Sequence, residues 1–240
     1  MNKILLIFSY DGSKFHGFQR QKNVRSVQRD IEEALTGLFG SEILIKGAGR
    51  TDSKVHAYAQ CAHFEVEGET WFLKYKLNKV LKDIKIKKVK KVKESFHARY
   101  SVKEKTYIYK MTLNKNDDNR YYGYYYGNVD FDKITKCSQL FVGEHNFKNF
   151  VAGYRDNYVS YINSINVTKK GDRIYFVFKG HGFYRYMVRN IVGALIDASK
   201  DKCTYKELES MLTLYEVEKR LSTAKAEGLY LKKIKYDKKL

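Results

Sequence analysis

Apolar positions recur along this chain at two periods, and the alternation between them predicts its elements. Lys3–Ser9 is a nearly continuous apolar run with a polar end, the pattern of a buried strand. Val27, Ile31, Ala34, Leu35 and Leu38 then repeat at helical spacing, with Ser26 at the N-cap and Gly40 as the stop. Ile43-Leu44-Ile45 has the β-branched content of a short strand, and Ala62, Phe64 and Val66 alternate as in a half-buried one. Leu73, Leu77, Val80 and Leu81 fall on one face of a helix over Thr70–Leu81. Ile84 and Ile86 alternate with lysines in a basic strand over Asp83–Val92.

The second half repeats these habits. Lys105–Met111 reads as a strand with Tyr107 and Tyr109 on one side and Ile108 and Lys110 on the other. Asn114–Asn128 is a polar loop whose tyrosine run, Tyr121 to Tyr126, suits an edge strand packed on the core better than a stacking surface for bases. Asp132 is read as the cap of a helix carrying Ile134, Cys137, Leu140 and Phe141, ended by Gly143. Tyr161–Thr168, with Tyr161, Ile165 and Val167 on one face, and Arg173–Lys179 form a hairpin around Lys170-Gly171-Asp172. Met187–Ala198 is a helix with Met187, Ile191, Ala194 and Leu195 as its apolar face. Strands and helices mixed in this way predict an α+β fold around a mixed, mainly antiparallel sheet flanked by helices.

Composition narrows the class. At 240 residues, 43% hydrophobic and 15% aromatic, the chain buries a substantial core and is not disordered. No apolar run reaches the roughly 20 residues of a membrane helix, and the polar turn after Phe8 gives no sign of a secretory signal. Three widely spaced cysteines argue against a disulfide framework and fit a reducing cytoplasm. A net charge of +19 points to an anionic partner, nucleic acid first. The absence of proline beside abundant Lys, Tyr, Asn and Ile marks a compositional drift that accounts for part of the lysine excess.

The chemistry concentrates in Lys46–Gln60, KGAGRTDSKVHAYAQ. Glycines here let the backbone approach a ligand closely, and Arg50 and Asp52 leave the same tight turn. A turn-capping Asp neutralised by a surface Arg is the structural alternative. Gly-Arg-Thr-Asp followed by Val-His-Ala resembles the catalytic loop of the tRNA pseudouridine synthase A family. YDGSKFHGFQRQ followed by SVQ, FHARYS followed by KTYIY, GEHNFKNF, FYRYMVRNIVGAL and TAKAEGLYL resemble that family's other blocks in the same order, spanning Tyr10 to Leu231.

The resemblance implies a pseudouridine synthase fold of two similar halves, 1–105 with the Asp loop and 106–240 completing the sheet and active site, although no sequence repeat is detectable. It implies an isomerase that converts uridine to pseudouridine in the anticodon stem-loop of tRNA, acting as a homodimer. Breaking the C1′–N1 bond, turning the base and joining C5 to C1′ involves no redox change or hydrolysis. The expectation is therefore no cofactor, no metal and no small-molecule partner. Asp52 is implied as the nucleophile and Arg189 as the cation that keeps it ionised. An apolar pocket raises a carboxyl pKa and a guanidinium lowers it. Tyr107 is implied to lie against the target base, Leu229 to line the pocket, and Arg50 to fill the space of the flipped nucleotide. Two positions depart from the family: Phe18 stands where tryptophan is more usual, and Lys54 stands where glycine is normal. If position 54 needs positive φ, lysine costs on the order of 1 kcal/mol there; Lys54 is otherwise a candidate phosphate contact.

Two other readings compete. Asp52, His56, Cys61 and His63 are metal-ligating types, with Cys61 and His63 on one strand face, but the motifs of zinc hydrolases are missing. An inactive paralogue or ribosomal-type RNA-binding protein explains charge and aromatics, but not an Asp, a Tyr and an Arg at family catalytic positions.

Overall fold

In the computed structural model, residues 1–125, 127–213 and 221–237 are described. They form two compact units, Met1–Lys103 with Tyr230–Leu240, and Glu104–Leu229.

In the first unit β1 (Asn2–Tyr10) leads through the 10–26 segment to α1 (Val27–Phe39), then β2 (Lys46–Gly47), β3 (His56–Val66), α2 (Leu73–Val80) and β4 (Ile84–Lys91). β1 is central, antiparallel to β3 and to β4, and β2 lies antiparallel on the far side of β3. Ile4, Leu6 and Phe8 are fully buried, each worth roughly 1.5–3 kcal/mol of transfer free energy. Gly40 closes α1 in the left-handed region, as its position requires.

The second unit runs β5 (Val102–Thr112), β6 (Gly123–Tyr124), α3 (Phe131–Ser138), β7 (Gly143–Asn146), β8 (Val159–Lys170), β9 (Arg173–Gly180), α4 (Met187–Ser199) and α5 (Tyr205–Ser210). β9 lies between β5 and β8, antiparallel to both, β7 pairs with β8, and α3 packs on α4 and β8. With the short strands β6 and β7 set aside, strand, helix, strand, strand, helix, the third strand paired to both others, is common to β1-α1-β2-β3-α2 and β5-α3-β8-β9-α4. This internal likeness left no trace in the residues themselves. The closing strand β10 (Leu229–Tyr236) pairs in parallel with β3, Tyr230 opposite His56.

The differences from the sequence expectation have local causes. Ile43–Ile45 is not a strand, because the N–H of Ile43 is bound by Thr36 Oγ1 and that of Ile45 by Glu32 Oε1, both on α1. Ser26 occupies the N-cap of α1, but its hydroxyl is buried and caps nothing. α2 is shorter than Thr70–Leu81 and leaves Val80 exposed, since the chain turns extended at Leu81. Asp130, not Asp132, caps α3 by accepting from the Lys133 N–H, and α3 ends at Ser138 rather than Gly143. Tyr161 is 54% exposed instead of packed with Ile165. A register shift between Ile162 and Ser164 makes Ile162 and Ile165 the inward pair. Phe147 and Phe150 are buried, with Phe150 edge-on to Phe141 at 5.0 Å, so the GEHNFKNF turn is architectural as expected. The tyrosine run contributes the short strand β6 beside β5; Tyr126 lies outside the described residues.

Candidate active site

The Asp52 loop is held at both ends and in the middle. Ala48 N–H donates to Cys61 O at 2.8 Å, and Gln60 Nε2 donates to Gly49 O at 3.1 Å. The 10–18 segment then braces the loop's centre. Phe18 N–H donates to Thr51 O at 3.1 Å, Lys54 N–H to Phe15 O at 3.4 Å, and Tyr10 OH meets Thr51 Oγ1 at 2.8 Å in the interior. Burial pushes the Tyr10 hydroxyl up to about 12, against the lowering effect of its bonds to Thr51 and Gln60, so it stays protonated. A Cβ at Gly12 would lie 2.2 Å from Val55 O, which only glycine allows. His56 Nδ1 accepts from that same Gly12 N–H at 3.1 Å. Gly47 is glycine for contact rather than for an unusual φ: the Phe18 ring would sit 2.5 Å from a Cβ there.

Within the loop Arg50 is exposed, Thr51 buried, Asp52 half-buried and Lys54 exposed. Asp52 O accepts from Val55 N–H at 3.2 Å, making Asp52 the first residue of a turn. Lys54 has φ +66, so this position does take the left-handed conformation, at a cost on the order of 1 kcal/mol for a lysine. Sequence reasoning missed the support behind this loop. Glu32 is buried and accepts from Arg20 Nη1 at 3.2 Å, Gln28 Nε2 at 2.8 Å and Ile45 N–H at 3.1 Å. Arg20 and Gln28 are thereby tied to a buried carboxylate.

Cys61 and His63 share a buried face, but as structural groups. His63 Nδ1 accepts from Ala98 N–H at 3.1 Å, pinning the Phe96–Arg99 segment, whose Ala98 O also accepts from Tyr236 OH. Burial, then the charges of His97, Lys3 and Lys46, bring His63 down to about 4 from its ordinary 6.5. Between those values the unfolded chain binds the proton that the native one refuses, so stability falls as pH drops through this window. After discounting for solvent screening, a loss on the order of 1 kcal/mol is expected between pH 7 and pH 5. Urea unfolding at the two pH values checks it, and His63→Gln should flatten the dependence. Among the described residues no group of three or more His, Cys, Asp or Glu is placed to hold a metal ion.

In the second unit Tyr107 is half-buried on β5, opposite Phe178, with its ring edge-on to Phe183 at 5.3 Å. Phe183, not singled out in the sequence, thus sets the orientation of Tyr107. Tyr109 is fully buried, its hydroxyl 3.2 Å from that of Tyr125, which is the packing role expected of it. Arg189 lies on α4 with its guanidinium carbon 4.6 Å above the Tyr186 ring and its Nε donating to Ala224 O at 2.8 Å. The main chains of the same two residues are joined by Ala224 N–H to Arg189 O at 3.0 Å. Arg189, Gly193 and Asp197 are spaced by four along one face of α4, and segment 222–224 lies across them. A Cβ at Gly193 would be 1.7 Å from Ser222 O, and Asp197 accepts from both the N–H and the hydroxyl of Ser222. A few residues on, Leu229 is buried where β10 begins.

The structure thus gathers Arg50, Asp52 and Lys54 in one braced loop of the first unit, and sets Tyr107, Arg189 and Leu229 on rigid elements of the second. A braced loop that carries Arg50 and Lys54 on either side of its one carboxylate, Asp52, is suited to holding a polyanionic substrate beside that carboxylate. The sequence profile of a family described as tRNA pseudouridine synthase matches residues 6–101 and 137–237, and the chain belongs to that family. The protein named tRNA pseudouridine synthase A in Shewanella piezotolerans is 37% identical over 243 residues, covering 98% of this chain and 93% of that protein. Its namesakes in Lactococcus lactis subsp. lactis and Streptococcus uberis are 35% and 36% identical, covering 98% and 100% of this chain and equal shares of their own lengths.

Proposed function

We propose that the chain is an isomerase that converts uridine to pseudouridine in the anticodon stem-loop of tRNA, as a homodimer in the cytoplasm. Kinship over almost the whole length to proteins named for this activity supports the reading. The observation that carries it is the Gly-Arg-Thr-Asp loop, fixed by hydrogen bonds to the chain's own 10–18 segment. Such rigidity keeps Asp52 in one place while the base is moved, so little ordering cost falls on the reaction itself.

In this mechanism Asp52 attacks C1′, or steadies positive charge there, while the C1′–N1 bond breaks. The detached uracil turns and its C5 joins C1′, displacing the Asp52 carboxylate where that had attacked; the C5 proton then leaves, N1 takes up a proton, and the base regains aromaticity. Arg189 supplies the positive charge that keeps Asp52 ionised in a pocket dried by Tyr107 and Leu229. Tyr107 lies against the base, stacking on it or taking the C5 proton. Arg50 occupies the gap left in the RNA stack, and Lys54 adds a phosphate contact. Everything is supplied by side chains and substrate, with no cofactor in the cycle.

The test uses tRNA transcribed with tritium at C5 of uridine. Purified chain should release tritium from uridines of the anticodon stem-loop and leave RNA length unchanged. Tight binding of the transcript with no release would overturn the proposal.

A further inference from the structure

Apart from the Asp52 loop, one surface of the first unit is built for a polyanion. Residues 74–93 hold ten lysines against a single acid, Asp83, a net +9 within a chain whose whole charge is +19. All ten lysines are exposed, and Asp83 is already bonded to Arg25 at 2.8 Å. A drift of composition spreads lysine evenly; it does not put almost half of the net charge in one-twelfth of the length. Lysines do protect sheet edges, and β4 is the outer strand of its sheet. That role accounts for neither the lysines on α2 nor the exposed rings beside them. Trp71, the chain's single tryptophan, is 81% exposed, and Tyr75 is 62% exposed with Lys79 Nζ 4.5 Å above its ring.

The surface is ordered. Asn78 ties α2 to the strand through both polar groups of Ile86, Oδ1 accepting from the N–H and Nδ2 donating to the carbonyl. β4 begins opposite Tyr10, the residue bonded to Thr51 of the Asp52 loop, and its eight residues run about 25 Å from there. Of the aliphatic side chains of α2, Leu73 and Leu77 are buried and Val80 alone is exposed, too small an apolar face to enter a lipid bilayer. Lysines at strand spacing suit successive phosphates, and exposed Trp and Tyr rings suit unpaired bases.

We infer that the α2–β4 face is a second RNA-contact surface: its lysines follow the phosphate backbone away from the target uridine, and Trp71 and Tyr75 stack on an unpaired nucleotide. This rests on RNA being the substrate, and extends the footprint beyond the Asp52 loop. Because Trp71 is the sole tryptophan, its emission reports on this face alone. Titrating the full chain with unmodified tRNA should quench that emission saturably. Changing Lys87, Lys88 and Lys90 together to Gln should weaken tRNA binding about tenfold at moderate salt. The same change should lower the slope of log affinity against log salt by about two to three. Trp71→Ala, which removes the stacking ring, should raise KM for tRNA by more than it lowers the saturated rate of tritium release. An unaltered slope in the triple variant would overturn the inference, as would equal quenching by phosphatidylglycerol vesicles or by raising protein concentration without RNA. Failure of the isomerase reading looks different: the wild-type chain would release no tritium, whatever the emission does.

Discussion

Asp52→Asn is expected to abolish isomerisation, lowering the rate of tritium release by at least about 10⁴-fold, while tRNA affinity changes less than threefold. The exchange keeps size and polarity and removes the charge with which the group attacks C1′ or steadies a cation there. A factor of 10⁴ corresponds to about 5.5 kcal/mol of barrier, within the range seen when a nucleophile is removed. Folding should be untouched. The loop's main chain is held through Ala48, Gly49, Thr51 and Lys54, and the side chains of Thr51 and Ser53 add bonds to Tyr10 and to Phe15 O. Equal thermal melting of variant and wild type is the control. Retained tritium release would remove Asp52 from the chemistry.

Gly193→Ala is expected to be the most damaging single methyl group, costing about 3 kcal/mol in urea unfolding and a large share of activity. Its Cβ would meet Ser222 O at 1.7 Å and the neighbouring carbonyl carbon at 2.5 Å. Both are backbone atoms of a segment bonded to α4, so no rotamer change relieves the overlap. Segment 222–224 must lift, and the Ala224 contacts that orient Arg189 go with it. Loss of kcat should therefore exceed any loss of tRNA binding. Gly37→Ala is the counterpart: that helical position is exposed with nothing within 4 Å of the added carbon, and the variant should gain about 0.5–1 kcal/mol. Full activity in Gly193→Ala would show that this packing does not position Arg189.

How much of this was legible in the sequence depends on the range of the interaction. The helices at Val27, Leu73 and Met187 and the hairpin at Gly171 were readable because their periodicity and stop signals are local. The Asp52 loop was readable as a candidate because Gly, Arg, Thr and Asp adjoin in the chain. Its brace was not: Tyr10 and Thr51 are 41 residues apart, and a hydrogen bond across that gap imposes no spacing on the residues between. Glu32 looked like any charged helix residue, since its burial follows from Arg20, Gln28 and the Ile45 N–H converging on it. Gly193 was visible only as part of a motif, because its need for a missing side chain comes from a segment 29 residues later. Tyr161 was misplaced since a bulge at Asn163 changes which residues alternate inward, and bulges carry no compositional mark. The lysines of β4 were legible as a charged strand, whereas their alliance with Trp71 and Tyr75 required α2 to be fixed against it.

A nucleoside map of cellular tRNA tests the assigned isomerisation most directly. In a strain lacking this protein, uridines of the anticodon stem-loop should remain unmodified, and adding the purified chain to that tRNA should turn them into pseudouridine with no other reagent. Unmodified uridines after incubation with folded, tRNA-bound protein would contradict it.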